Sequence, residues 1–178
     1  MSKVLAIDTS TSRTSVAIID GDSILFSGFR DGATAHGPSL PALVQEALAI
    51  SDVDEVVVGM GPGPFTGLRV GIAFAQSFAL ARDIPVRGVC SLDAIAAQIN
   101  EKDFIITVDA RRKEVYWARY KDGVRVGEPA VNFPTDVTGA PIHADLFPDM
   151  HLLVKLLGNI TEPIYLRRPD AVATTDRP

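Results

Sequence analysis

One pattern occurs twice in this chain of 178 residues and restricts its folds more than any other feature. Lys3-Val4-Leu5-Ala6-Ile7 is a short apolar run that stops at Asp8 and a hydroxyl cluster, Thr9-Ser10-Thr11-Ser12. Strand character resumes from Thr14 to Ile19 and closes on Asp20-Gly21. Much later, Phe104-Ile105-Ile106-Thr107-Val108 stops at Asp109, the polar segment Ala110-Arg111-Arg112-Lys113 follows, and a second strand from Glu114 to Tyr120 closes on Asp122-Gly123. A buried apolar run, a polar turn and a returning strand that ends in Asp-Gly is a hairpin signal. Its return at nearly equal spacing predicts an α/β protein of two related lobes. The division falls at residues 1–100 and 101–178, with the second lobe abbreviated.

The stretch between the hairpins fills out the first lobe. A strand over 23–29 completes an antiparallel meander of three strands. His36-Gly37-Pro38-Ser39 leads into Leu40, Leu43, Val44, Ala47 and Leu48, which share one face of a helix. Glu55-Val56-Val57-Val58 is a buried strand stopped by Gly59-Met60-Gly61. A long helix over 64–82 ends at Asp83-Ile84-Pro85, because proline cannot continue it. A strand over 86–89 follows, and Ser91 is expected to cap a short helix carrying Leu92, Ile95, Ala96 and Ile99. The second lobe continues less regularly. Three prolines within 128–141 predict an edge strand or loop. A short helix is expected over 149–157, ended by Gly158, then a strand over 163–166 and a loosely held tail.

Several functions are disfavoured by what the chain lacks. Its formal net charge is −5, and the only basic clusters are Arg111-Arg112-Lys113 and Arg167-Arg168. Phosphate backbones are held by several clustered cations, so strong direct nucleic-acid binding by this chain alone is not expected. The single cysteine, Cys90, lies in an apolar stretch and reads as a small buried hydrophobe. The N-terminus carries no signal-peptide pattern, and no run is long enough to span a membrane, so a reducing cytoplasmic setting is expected. His36, His143 and His151 show no metal-ligand spacing, and no Gly-x-Ser-x-Gly elbow is present.

Three features carry candidate chemistry. Asp8, Thr9 and Ser10, facing Asp109 across a cleft, could hold a nucleotide phosphate or its Mg²⁺; the same residue types also satisfy their own turn backbone. Gly61-Pro62-Gly63-Pro64-Phe65-Thr66-Gly67 has the look of a phosphate loop, but no Lys-Ser or Lys-Thr follows it and two prolines remove backbone donors. It is a rigid turn that aims the next helix. Within that helix Gly67, Gly71, Ala75 and Ala79 form a bare ridge, and Val70, Phe74 and Phe78 form a neighbouring stripe. Interior glycines cost about 1 kcal/mol each relative to alanine, so another backbone must approach closely. Spacing leaves open whether that backbone belongs to the chain itself or to a partner.

Val4-Leu5-Ala6-Ile7-Asp8-Thr9-Ser10, the segment from Gly61 through Leu68-Arg69-Val70-Gly71, and Tyr165-Leu166-Arg167-Arg168-Pro169 resemble the TsaB (YeaZ) family. The resemblance implies the two-lobed fold shared by actin, Hsp70 and sugar kinases, each lobe ribonuclease-H-like. It further implies a non-catalytic subunit in the synthesis of threonylcarbamoyladenosine in tRNA, which dimerises with a catalytic TsaD-type subunit beside a TsaE-type ATPase. The implied interface comprises the helices at 36–49 and 64–82, with His36, Leu40, Leu43, Val44, Ala47, Phe65, Gly67, Val70, Gly71, Phe74, Ala75 and Phe78. Without its partner the chain is expected to form a homodimer through those helices. No cofactor is required on this view; weak ATP or ADP binding around Asp8 and Asp109, or an ATPase activity there, is the alternative.

Overall fold

The computed structural model describes residues 2–167. Its first sheet begins with β1 (Lys3–Asp8), buried on both faces from Val4 onward, which is why its sequence is uninterruptedly apolar. β2 (Arg13–Asp20) and β3 (Ser23–Asp31) continue from it as an antiparallel meander. The chain then crosses over through α1 (His36–Leu48) to β4 (Glu55–Gly59), parallel to β1, and through α2 (Phe65–Arg82) to β5 (Val86–Val89), parallel to β4. The strand order is β3-β2-β1-β4-β5. Both crossover helices cover one face, where Leu5, Ile7 and Ile18 pack with Leu40, Leu43 and Leu68.

The short helix α3 (Ser91–Ala96) leads into the second sheet. There β6 (Asp103–Asp109), β7 (Val115–Lys121) and β8 (Val124–Asn132) repeat the antiparallel meander, and β9 (Ile142–His143) lies parallel to β6. The order β8-β7-β6-β9 is thus the order of the first sheet with one strand fewer among the described residues. Leu92 and Ile95 of α3 share a core with Phe104, Ile106 and Tyr120. Asp93 fastens this junction, accepting from the Tyr120 hydroxyl at 2.8 Å and from Arg125 Nη1 at 2.9 Å.

The last helix, α4 (Met150–Lys155), does not stay with the second sheet. Its Met150 and Leu153 close the other face of the first sheet over Val4, Ala6, Ala17 and Ile19. A break at residue 100 therefore separates the sheets but not the cores. α4 is capped by Asp149, which accepts from Leu152 N at 2.8 Å, and it ends short of Gly158.

Two further expectations are corrected. Ser91 is the first residue of α3 and Cys90 precedes it as N-cap, because the Ser91 hydroxyl is engaged elsewhere. Residues 163–166 form no strand; the segment is tied by single backbone bonds, Ile160 N to Gly88 O at 2.8 Å and Ile164 N to Met60 O at 2.9 Å. Arg168, Pro169 and the expected loose tail lie outside the described residues. Among those residues no helix is long and apolar enough to cross a membrane. Cys90 is buried, and burial pushes its thiol up to about 12.

Candidate functional site

Asp8 ends β1, and its carboxylate turns into the protein. The residue is 1% exposed. Oδ1 accepts from Ser10 N at 2.8 Å and from Ser10 Oγ at 2.7 Å, and Oδ2 accepts from Ser91 Oγ at 2.6 Å. Ser91 Oγ also accepts from Gly61 N at 3.2 Å, so a polar relay runs from the first strand to the start of the Gly-Pro turn. Gly59 makes room for it, since a Cβ there would overlap Asp8 Oδ2. Burial raises the Asp8 carboxyl above its ordinary value, with the Ser91 and Ser10 hydrogen bonds opposing.

The next residue, Thr9, reaches into α2. Its Oγ1 donates to Gly67 O at 2.8 Å and accepts from Gly71 N at 3.2 Å. A Cβ on Gly67 would come within 2.9 Å of Thr9 O, and one on Gly71 would overlap Thr9 Oγ1. Ser10 fills the same role against Gly63, whose Cβ would overlap Ser10 O. The backbone that the glycine ridge admits is therefore the chain's own β1–β2 turn.

Most of the interface candidates lie inside the chain's own packing. Leu40, Leu43, Val44, Ala47 and Ala75 are core residues, and Gly67 and Gly71 are buried beneath the turn. His36 is 4% exposed, with Nδ1 2.8 Å from Thr14 Oγ1, and burial holds it below its ordinary value despite the pull of nearby Asp8. These eight are withdrawn from the surface because each is consumed in seating α1 and α2 on the sheet. Phe65, Val70, Phe74 and Phe78 stay half-buried and present part of their rings or methyls outward. Phe74 and Phe78 stack at 6.1 Å between centroids.

Between the sheets lies a cleft of about 820 Å³, with the 63–67 turn on one wall and Asp109, Arg111 and Arg112 on the other. Asp109 is exposed and accepts from Arg111 N at 2.9 Å. Asp8, Thr9 and Ser10 do not line the cleft, so the expected pairing of Asp8 with Asp109 across it is not realised. Arg111, Arg112 and Lys113 all adopt left-handed backbone, with φ of 60, 56 and 64°. Among the described residues no group of three or more His, Cys, Asp or Glu is disposed to hold a metal ion.

Two participants escape reading by sequence. Ser91 is one, because its partner lies far away in the chain. The other is the segment after α4, whose Tyr165 and Arg167 line the cleft. Tyr165 lies 4.9 Å from the Phe65 ring, and Arg167 donates from Nη1 to Ala110 O at 3.0 Å and pairs with Glu114. The only signal for it is the Tyr165-Leu166-Arg167 motif itself.

Two sheets, each a three-stranded meander extended in parallel from its first strand and flanking a cleft, define a protein of the actin, Hsp70 and sugar-kinase class. Residues 31–145 match the family model described as "TsaD: tRNA N6-adenosine threonylcarbamoyltransferase". The crystal structure of a Pseudomonas aeruginosa protein described as similar to peptidase YEAZ superposes with a TM-score of 0.79 at 28% identity, covering 94% of this chain and 100% of that one. The chain belongs to the TsaB (YeaZ) family. The Mycobacterium tuberculosis protein Rv3421c, described as uncharacterized, is 44% identical over 96% of this chain and 94% of its own length. Escherichia coli TsaB, a tRNA threonylcarbamoyladenosine biosynthesis protein, is 35% identical over 71% of this chain and 59% of its own length. The chain spans 52–60% of the relatives that carry the TsaB name.

Proposed function

We propose that the chain is a non-catalytic subunit of the threonylcarbamoyladenosine machinery for tRNA, acting in the cytoplasm as the dimerisation partner of a TsaD-type catalytic subunit. A TsaE-type ATPase completes the assembly, and the isolated chain pairs with itself through the same face. The observation that carries this reading is the internal use of Asp8: the carboxylate that an actin-like enzyme would aim at phosphate and metal is spent on Ser10 and Ser91. On this reading the chain needs no cofactor of its own.

The docking face is the outward side of α2. Ala73 and Ser77 are exposed there between the half-buried Val70, Phe74 and Phe78, so small residues let a partner helix approach while apolar ones flank the contact. A large cation at such a position blocks approach without entering the core. Ala73→Arg is expected to abolish capture of the TsaD-type subunit while leaving the circular dichroism spectrum unchanged. Undiminished capture would sink the α2 assignment.

The cleft between the sheets favours one other reading, a weak ATP-binding protein or ATPase that uses Asp109. In a reconstituted complex, Asp109→Ala should keep tRNA modification within about twofold of wild type if the chain is a scaffold. Complete loss would favour the enzyme.

A further inference from the structure

In an ordinary α-helix the amide of residue 71 bonds directly to the carbonyl of residue 67. In α2 the Thr9 hydroxyl stands at that rung, donating to Gly67 O at 2.8 Å and accepting from Gly71 N at 3.2 Å. A side chain inserted into the backbone ladder is a recognised cause of helix bending. Glycine at both ends of the rung is what lets the turn come so close. Thr9 is itself held in place: Ser10 N and Oγ both bond to Asp8, and Asp8 is anchored through Ser91 to Gly61, just before the helix. All three turn residues are 1% exposed and none lines the cleft.

We infer that the turn at residues 8–10 is a seat that sets the direction of α2, with the Thr9 hydroxyl as the positioning residue for the docking face. This rests on the reading of α2 as that face. The lever is long enough to matter. From Gly71 to the end of the helix at Arg82 is roughly 16 Å, so a tilt of about 10° at the rung moves the far end by about 3 Å. That shift exceeds what a close-packed helix contact tolerates. The turn thus serves alignment.

The test compares Thr9→Val, which keeps the shape and removes the hydroxyl, with Thr9→Ser, which keeps the hydroxyl. Residual dipolar couplings on the isolated ¹⁵N-labelled chain report the angle between α2 and the first sheet. Titration with the TsaD-type subunit reports affinity. We expect Thr9→Val, which loses both bonds, to turn α2 measurably and to weaken binding about tenfold through the displaced face, and Thr9→Ser to restore both. An unchanged α2 angle in Thr9→Val overturns the inference. If that variant does not fold, Thr9→Ala supplies the measurement with neither donor nor acceptor at the rung, and an unchanged angle there overturns it equally. A changed angle with unchanged affinity also overturns it, provided Ala73→Arg abolishes binding. If Ala73→Arg binds normally, the docking face is the part that fails, and the angle still decides whether the turn is a seat.

Discussion

His36 opens α1 with 4% of its surface exposed, and burial depresses its basicity below the ordinary 6.5, with Arg111 adding to the effect while Asp8 and the Thr11 backbone oppose it. The unfolded chain therefore takes up a proton on this ring at higher pH than the folded one does. The stability His36 contributes is complete above about pH 6.5 and is lost as pH falls from there through the folded value. Asp8 works in the opposite sense. Its folded value is raised above 3.8, so its contribution is present below 3.8 and lost as pH rises through the folded value. Urea midpoints followed from pH 7 downward should begin to fall near 6.5, and His36→Gln should flatten that limb; equal slopes in both proteins would exclude His36 as the source. Gly59 carries the steric counterpart. Gly59→Ala drives a methyl into the Asp8 carboxylate and should cost at least about 2–3 kcal/mol in chemical denaturation. At this scale the sequence was partly legible. Asp8 at a strand end could be read from apolar periodicity, but Ser91 could not, because no local pattern ties a serine to an aspartate in a distant turn. Nor does anything about Arg111, Arg112 and Lys113 as residue types announce left-handed backbone.

Elements were more legible than their neighbours. α2 was expected from residue 64 and runs from Phe65, with Pro64 as its N-cap, because proline suits a helix start. Its four-residue repeat of small side chains signalled close approach and could not signal whose backbone approached; only the tertiary position of Thr9 decides that. The expected strand over 163–166 failed for a related reason: a short apolar run does not say whether it will pair in register, and this segment meets the end of the first sheet through single bonds to Gly88 and Met60. α1 contains a local conflict with its own fold. Pro41 lies inside the helix on its exposed side, where it has no N–H to give the Gly37 carbonyl four residues back. Pro41→Ala should therefore stabilise the chain by about 1–3 kcal/mol, less the entropy that alanine returns to the unfolded state. Thermal melts would show it as a clear rise in Tm. A fall would mean that the Pro41 ring is used by a contact α1 makes elsewhere.

The repeated strand–aspartate–turn pattern maps onto two sheets of matching order, so the largest feature of the molecule was the one most visible in the sequence. What the pattern hid is that lobes and chain halves do not coincide. Periodicity marks α4 as amphipathic but does not say which sheet it serves, and it serves the first, with Leu153 fully buried among Val4, Ala6 and Ile19. The first sheet therefore has one face that residues 1–100 cannot cover by themselves. Leaving those side chains in water forfeits roughly 25 cal/mol for every Å² of apolar surface, in a protein whose net stability is of the order of 10 kcal/mol. A fragment of residues 1–100 should show no cooperative urea transition, and Leu153→Ala in the full chain should cost about 2–5 kcal/mol without splitting its single transition. A fragment that unfolded sharply near the midpoint of the full chain would show α4 to be dispensable. The first sheet would then be a complete domain in its own right, and the seat of α2 would be testable in it alone.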